Sequence, residues 1–137
     1  TTGSVLTAWI GVGGPLGNSS TRKRTSAGTG VVPSGEQAAI GTTDMNLNQW
    51  YYISGVFNNS ASVYLNGTYQ SVGIYRAPQP SEYNYTASLL IGGSVVNNTP
   101  MYLFSGSVSN VKIYNRVLSS AEILQNYNAL KGRFGLT

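Results

Sequence analysis

The rhythm of apolar and polar positions changes once along this chain. Up to about residue 115 it is short and strand-like; after Ser119 it becomes helical. TAWIGV (7–12) predicts a strand around Trp9, and GGPLGN (13–18) is Gly/Pro punctuation. STRKRTSAGTG (20–30) is polar and Gly-bounded. It reads as an exposed loop or hairpin running into a short strand at 29–32. QAAIG (37–41) predicts another short strand, and TTDMNLNQ (42–49) is turn-rich. WYYISGVFN (50–58) is apolar on both faces, the pattern of a central strand covered on each side. Asn58-Asn59-Ser60 turns the chain into the strand ASVYL (61–65). Asn66-Gly67 is the strongest hairpin signal, because both residues of a type I′ turn need φ > 0 and Asn and Gly tolerate it best. TYQSVGI (68–74) returns. YRAPQPSEYNY (75–85) is a loop, TASLLI (86–91) a strand stopped by Gly92-Gly93, and residues 97–100 a turn. Met101 to Asn115 reads as one long strand, bent or bulged at Gly106. About eight strands with frequent turn signals predict an antiparallel all-β sandwich or barrel.

The ending differs. VKIYNRVLSSAEI (111–123) starts as an alternating strand and opens a helix. Ser119 with Glu122 three residues on is a capping box, in which the hydroxyl takes the Glu122 amide and the carboxylate reaches back to the Ser119 amide. Leu118 can staple to Ile123. Ile123, Leu124, Tyr127 and Leu130 share one face, and Gly132 is placed to stop the helix. One short C-terminal α-helix over about residues 120–130 is therefore expected, too short to stand alone and docked on the sandwich.

The order NQWYYISGVFN, VYLNG, LLIGG, LFSGSVSNVKIYNRVLSSAEI resembles the concanavalin A-like lectin/glucanase superfamily in its laminin G-type branch, over about residues 46–130. The run from Phe104 to Ile123 carries the resemblance most specifically, and the ending QNYNALKGRFG is similar to module tails in phage and marine-virus structural proteins. The resemblance implies an antiparallel jelly-roll β-sandwich as a single domain over 1–137. It implies carbohydrate binding, adhesion or virion architecture, and in some branches glycoside hydrolysis. Relatives carry one or two strands before the position of TAWIGV, whereas only six residues precede Thr7 here. Those strands are lost, lie in an unseen part of a longer polypeptide, or come from another copy.

Composition narrows the chemistry. Charged residues are only 9% of the 137, replaced by Ser, Thr, Asn and Gly, so little repulsion keeps copies apart. The net charge of +4 comes from 8 basic against 4 acidic residues, and the run Arg22-Lys23-Arg24 holds three of the eight. That run reads as a solvated loop, with an acidic partner or a protease as the sharper readings. No dense basic stripe interleaved with aromatics marks a nucleic-acid binder. No stretch approaches a membrane span, and no signal peptide is visible. A chain opening at Thr1 without an initiator Met is processed or is an excerpt.

Neither Cys nor His is present, so disulfides, thiol chemistry, a zinc centre and a Ser–His triad all lack their residues. The acids Glu36, Asp44, Glu82 and Glu122 stand far apart in sequence, unlike the close carboxylates of the superfamily's hydrolases, and the cap already uses Glu122. No catalytic residue is assigned. Asp44 with Asn46 and Asn48 sets oxygen-bearing residues at alternate positions, as a Ca²⁺ loop does; Asx turns are the preferred reading, and no cofactor is assigned. Tyr75, Arg76, Tyr83, Asn84 and Tyr85 of the 75–85 loop are the candidate glycan surface, set against the reading that these tyrosines pack the loop on the sandwich. Asn18, Asn58, Asn66, Asn84 and Asn97 fit the N-glycosylation pattern if the chain is secreted, although Asn58 and Asn66 are better explained as turn residues.

The expected function is a non-catalytic structural or adhesive module of an extracellular assembly, foremost a phage virion component such as a capsid decoration or fibre. A microbial surface fibril or adhesin subunit and a carbohydrate-binding lectin module are the alternatives. Expected partners are copies of itself, other virion or surface proteins, and glycans, with no nucleic acid and no membrane insertion. The expected location is a virion surface or the extracellular or cell surface.

Overall fold

The computed structural model describes residues 5–12, 25–32, 35–57, 61–70, 89–96, 99–101 and 103–137. All its strand pairs are antiparallel. β1 (Val5–Val12), β2 (Thr25–Val32) and β3 (Gly35–Ile40) form one sheet in that order, with Val12 opposite Thr25 and Ser26 opposite Ile40. β4 (Ile53–Phe57), β5 (Ala61–Leu65) and β6 (Thr68–Tyr69) form a second. β7 (Ser94–Val96) and β8 (Thr99–Met101) form a hairpin. β2 lies against both β5 and β4, which brings the two three-stranded sheets together.

The expected hairpin is present. Asn66 and Gly67 have φ of 50° and 77°, and Leu65 stands opposite Thr68 across them. Asn66 also ties the turn to the chain before β4. Its side-chain oxygen accepts from the Tyr52 amide at 2.9 Å, and its own amide donates to the Tyr52 carbonyl at 2.7 Å. Next to the turn, the cross-strand partners Tyr64 and Tyr69 meet edge to face at 5.5 Å.

The helix α1 (Ser120–Leu130) matches the expected range. It docks on this hairpin, where a Cβ added at Gly67 would lie 3.0 Å from Leu124 Cδ1 and 3.1 Å from Tyr127 Cδ1. Gly67 therefore serves twice, as a left-handed turn residue and as the floor on which the helix rests. Val63, Leu65, Ile123 and Tyr127 are the buried hydrophobic residues among those described. Burying each aliphatic side chain contributes about 1.5–3 kcal/mol, enough to hold a helix that cannot persist alone.

Five expectations need correction. WYYISGVFN predicts a central strand, yet β4 pairs only with β5 among the described residues, and its side chains are half-buried at most; β5 is the central strand. A pattern apolar on both faces cannot say which strand takes the middle place. The polar segment read as a loop at 20–30 already enters β2 at Thr25, because the pairing with β1 and β3 outweighs weak local propensity. Residues 103–115 lie outside any sheet, with Ile113 67% exposed. Alternation shows that a segment fits a strand, but a ladder also needs a neighbouring backbone, and no described segment supplies one beyond the Gly92 carbonyl that accepts from the Phe104 amide. The chain does bend at Gly106, with the Phe104 ring folded over it. The left-handed glycine that ends the helical run is Gly135 (φ 66°), not Gly132. A 3₁₀ turn over Lys131–Phe134 extends α1, because Phe134 packs against Trp50. Within the expected strand TASLLI, residues 89–91 carry no ladder; its other residues, like those of 71–74, lie outside the described residues.

Candidate functional site

The chemistry visible in the described residues gathers at the two ends of α1. The N-terminal end is closed. Ser119 Oγ accepts from the Glu122 amide at 3.2 Å, and Glu122 Oε2 accepts from the Ser119 amide at 2.8 Å, completing the capping box. Arg116 adds a fork that the box alone does not require. Its Nη2 donates to Glu122 Oε1 at 2.8 Å and its Nη1 to Oε2 at 3.0 Å. Glu122 thus takes three donors although its side chain is 38% exposed. The Arg116 guanidinium first, and the Ser119 amide second, hold its carboxyl at about 2. Glu122 in turn raises the Arg116 pKa. A carboxylate held ionised near neutral pH has no proton to give, and three of its acceptor positions are taken by Arg116 and the Ser119 amide, so this group serves the helix.

The C-terminal end is open. The 3₁₀ turn carries Lys131, Arg133 and Phe134 past the end of α1, toward the segment that precedes β4. Trp50 and Phe134 meet with centroids 5.1 Å apart at 48°, and Trp50 keeps 41% of its surface in solvent. The Arg133 guanidinium lies 5.6 Å from the Phe134 ring centre, and the Lys131 ammonium 5.8 Å from that of Tyr127. Among the described residues neither cation has a carboxylate partner. Two contacts fix the scaffold beneath. Tyr127 packs on Tyr52 at 6.0 Å, and its hydroxyl donates to the Thr137 carbonyl at 2.9 Å. Burial pushes the Tyr52 hydroxyl above its usual pKa, as expected beneath a packed helix.

Sequence reasoning passed over this face. Trp50 reads as part of a strand and Phe134 as tail, and nothing local joins them. The one available signal is the spacing Lys131, Arg133, Phe134, a basic–aromatic run beyond a helix. The glycan candidates Tyr75, Arg76, Tyr83, Asn84 and Tyr85 lie outside the described residues, as do Glu82, the 22–24 basic run and the sequons at Asn18, Asn58, Asn84 and Asn97. Asn66 sits in the hairpin turn, with its side-chain oxygen engaged.

The Asp44 segment has the geometry of turns. The Asn46 amide donates to the Tyr51 hydroxyl at 2.8 Å, and Asn48 adopts a left-handed φ of 59°. The segment is pinned by Gln70, a buried side chain whose Oε1 accepts from the Thr43 amide at 3.2 Å and the Thr42 hydroxyl at 3.4 Å. Among the described residues, no three His, Cys, Asp or Glu side chains gather as a metal site, and no helix is long and apolar enough to cross a membrane.

The comparison with protein families decides the fold. The family model of the concanavalin A-like lectin/glucanases superfamily matches residues 9–124, from β1 into α1. The chain belongs to the concanavalin A-like lectin/glucanase superfamily. That superfamily's fold is the β-sandwich, and the antiparallel strands and C-terminal helix among the described residues accord with it. No curated protein and no solved structure matches the chain. Superfamily membership points to a carbohydrate-binding or adhesive role in broad terms. Fold alone does not choose the ligand, so the choice rests on the surfaces.

Proposed function

We propose that this domain is a non-catalytic structural and adhesive module of an extracellular assembly, its first setting a phage virion in which it decorates the capsid or forms part of a fibre. The observation that carries the reading is the outer edge of β1. Eight residues, VLTAWIGV, pair with β2 on one side and have no ladder partner on the other among the described residues. Edge strands that avoid association carry charges, proline or bulges, and this one has neither charge nor proline. A low-charge surface adds little repulsion between copies. A jelly-roll sandwich closed by a strand from a neighbouring copy satisfies that edge by strand addition. The non-catalytic part is supported by Glu122, which is committed to the cap. A microbial surface fibril is the same reading in another setting.

The lectin reading has its own support in the exposed Trp50 beside Phe134 and Arg133, and it makes glycan the thing adhered to.

Light scattering and electron microscopy of the purified chain test the assembly. A defined oligomer or filament is expected, and lysine placed at Thr7 or, separately, at Ala8 disperses it, since successive strand residues face opposite sides. A chain that stays monomeric at high concentration contradicts the reading.

A further inference from the structure

We propose that the face formed by Trp50, Phe134, Arg133 and Lys131 binds a carboxylated pyranose, an acidic sugar unit of a surface glycan. The proposal rests on the adhesive reading above and names the ligand class and the site that it leaves open.

Three features of the face converge. The first is the platform. Phe134 props the Trp50 indole at 5.1 Å while leaving 41% of Trp50 in solvent, so the ring is held without being covered. A sugar stacking its C–H face there meets a ring already ordered, which lowers the entropic cost of binding. The second is charge. Arg133 stands beside the Phe134 ring and Lys131 over the neighbouring Tyr127 ring, with no carboxylate partner among the described residues. Arg116 at the other end of the same helix makes the contrast: where a guanidinium here has a structural task, it is forked onto a carboxylate at 2.8 and 3.0 Å. A ring carboxylate on a pyranose offers Arg133 the same two-pronged acceptor, and Lys131 adds a second positive charge. The third is polarity. Asn48 and Gln49, immediately before Trp50, are exposed amides suited to sugar hydroxyls.

The alternative occupant of an aromatic surface with cations is single-stranded nucleic acid. That ligand needs a positive groove tracking several phosphates along its backbone. Two cations at one helix end supply a point of charge and no track, which favours a single acidic sugar unit.

The test titrates the full chain with galacturonic acid hexamer, with a neutral galactose hexamer and an oligothymidylate as comparisons. Calorimetry and indole fluorescence are the readouts. Saturable binding of the galacturonate is expected, weakening with added salt and by about tenfold in Arg133→Gln. Trp50→Phe, which keeps a ring against Phe134, weakens binding severalfold while circular dichroism stays unchanged, separating stacking from folding. Equal affinity for the neutral hexamer, or tighter binding of oligothymidylate, overturns the proposal. So does galacturonate binding that both substitutions leave intact, although glycan adhesion itself then survives at another surface. If no oligosaccharide binds, the site falls, and the light-scattering result decides separately whether the assembly reading stands.

Discussion

The two ends of α1 use the same kinds of residue in opposite ways. At the N-terminal end Arg116, Ser119 and Glu122 satisfy one another, so every charge there is spent within the molecule. At the C-terminal end Lys131 and Arg133 lie beside aromatic rings, and Trp50 is left partly in solvent. Cations near a helix C-terminus also complement its dipole, a structural gain of about 0.3–1 kcal/mol at the surface. That gain explains a positive charge; the tryptophan beside it is one of several large hydrophobic side chains left in solvent among the described residues, and it is set apart by the Phe134 ring and the Arg133 cation next to it. The closed end holds the helix, and the open end is where the proposed sugar site lies.

Substitutions can break this contrast, beginning with the largest effect. Ile123→Ala empties the most buried position of the helix and is expected to cost about 2–5 kcal/mol in urea unfolding. Because it loosens the docking of both ends, it should weaken stability and galacturonate binding together. Gly67→Ala comes next. It places a Cβ 3.0–3.2 Å from Leu124 and Tyr127 on a residue with φ of 77°, and about 1–3 kcal/mol should be lost. Ser119→Ala removes the cap acceptor and should cost about 1 kcal/mol with sugar binding unchanged. Loss of binding in Ser119→Ala at full helix content would erase the distinction between the ends.

The ion pair gives a pH test of the closed end. Glu122 titrates at about 2 in the folded chain against an ordinary 4.5, so its folded pKa is depressed. Its contribution to stability is therefore complete above about pH 4.5 and fades as pH falls toward 2. Thermal unfolding followed across that window should decline less steeply in Glu122→Gln, which has no proton to take up. The effect is expected to be the smallest of the set, because the pair is exposed and screened by salt. A wild-type profile parallel to that of Glu122→Gln would show that the fork contributes nothing.

What the sequence discloses follows the range of the interactions. The capping box spans three residues and the type I′ turn two, so both can be read before any fold is known. Arg116 is close enough in sequence to Glu122 to pair, yet the capping pattern does not ask for it, and only the structure shows the fork. β4 reads as central because its apolar residues are visible, while its neighbours in the sheet are not. Residues 103–115 read as a strand for the same reason, since alternation carries no information about a partner. The helix run continues to Gly135 because a distant ring holds Phe134. That contact also builds the open face, whose aromatic halves come from opposite ends of the described helix–sheet unit, so no local pattern could have joined them.

The most direct test sets Glu122→Gln beside Arg133→Gln, measuring melting temperature and galacturonate affinity on both proteins. The prediction is a crossing: Glu122→Gln flattens the fall of melting temperature between about pH 4.5 and 2 and leaves affinity intact, whereas Arg133→Gln cuts affinity about tenfold and keeps the wild-type pH profile. If stability and affinity fall together in both variants, or if Arg133→Gln changes only stability, the two ends of the helix do the same work and the account is wrong.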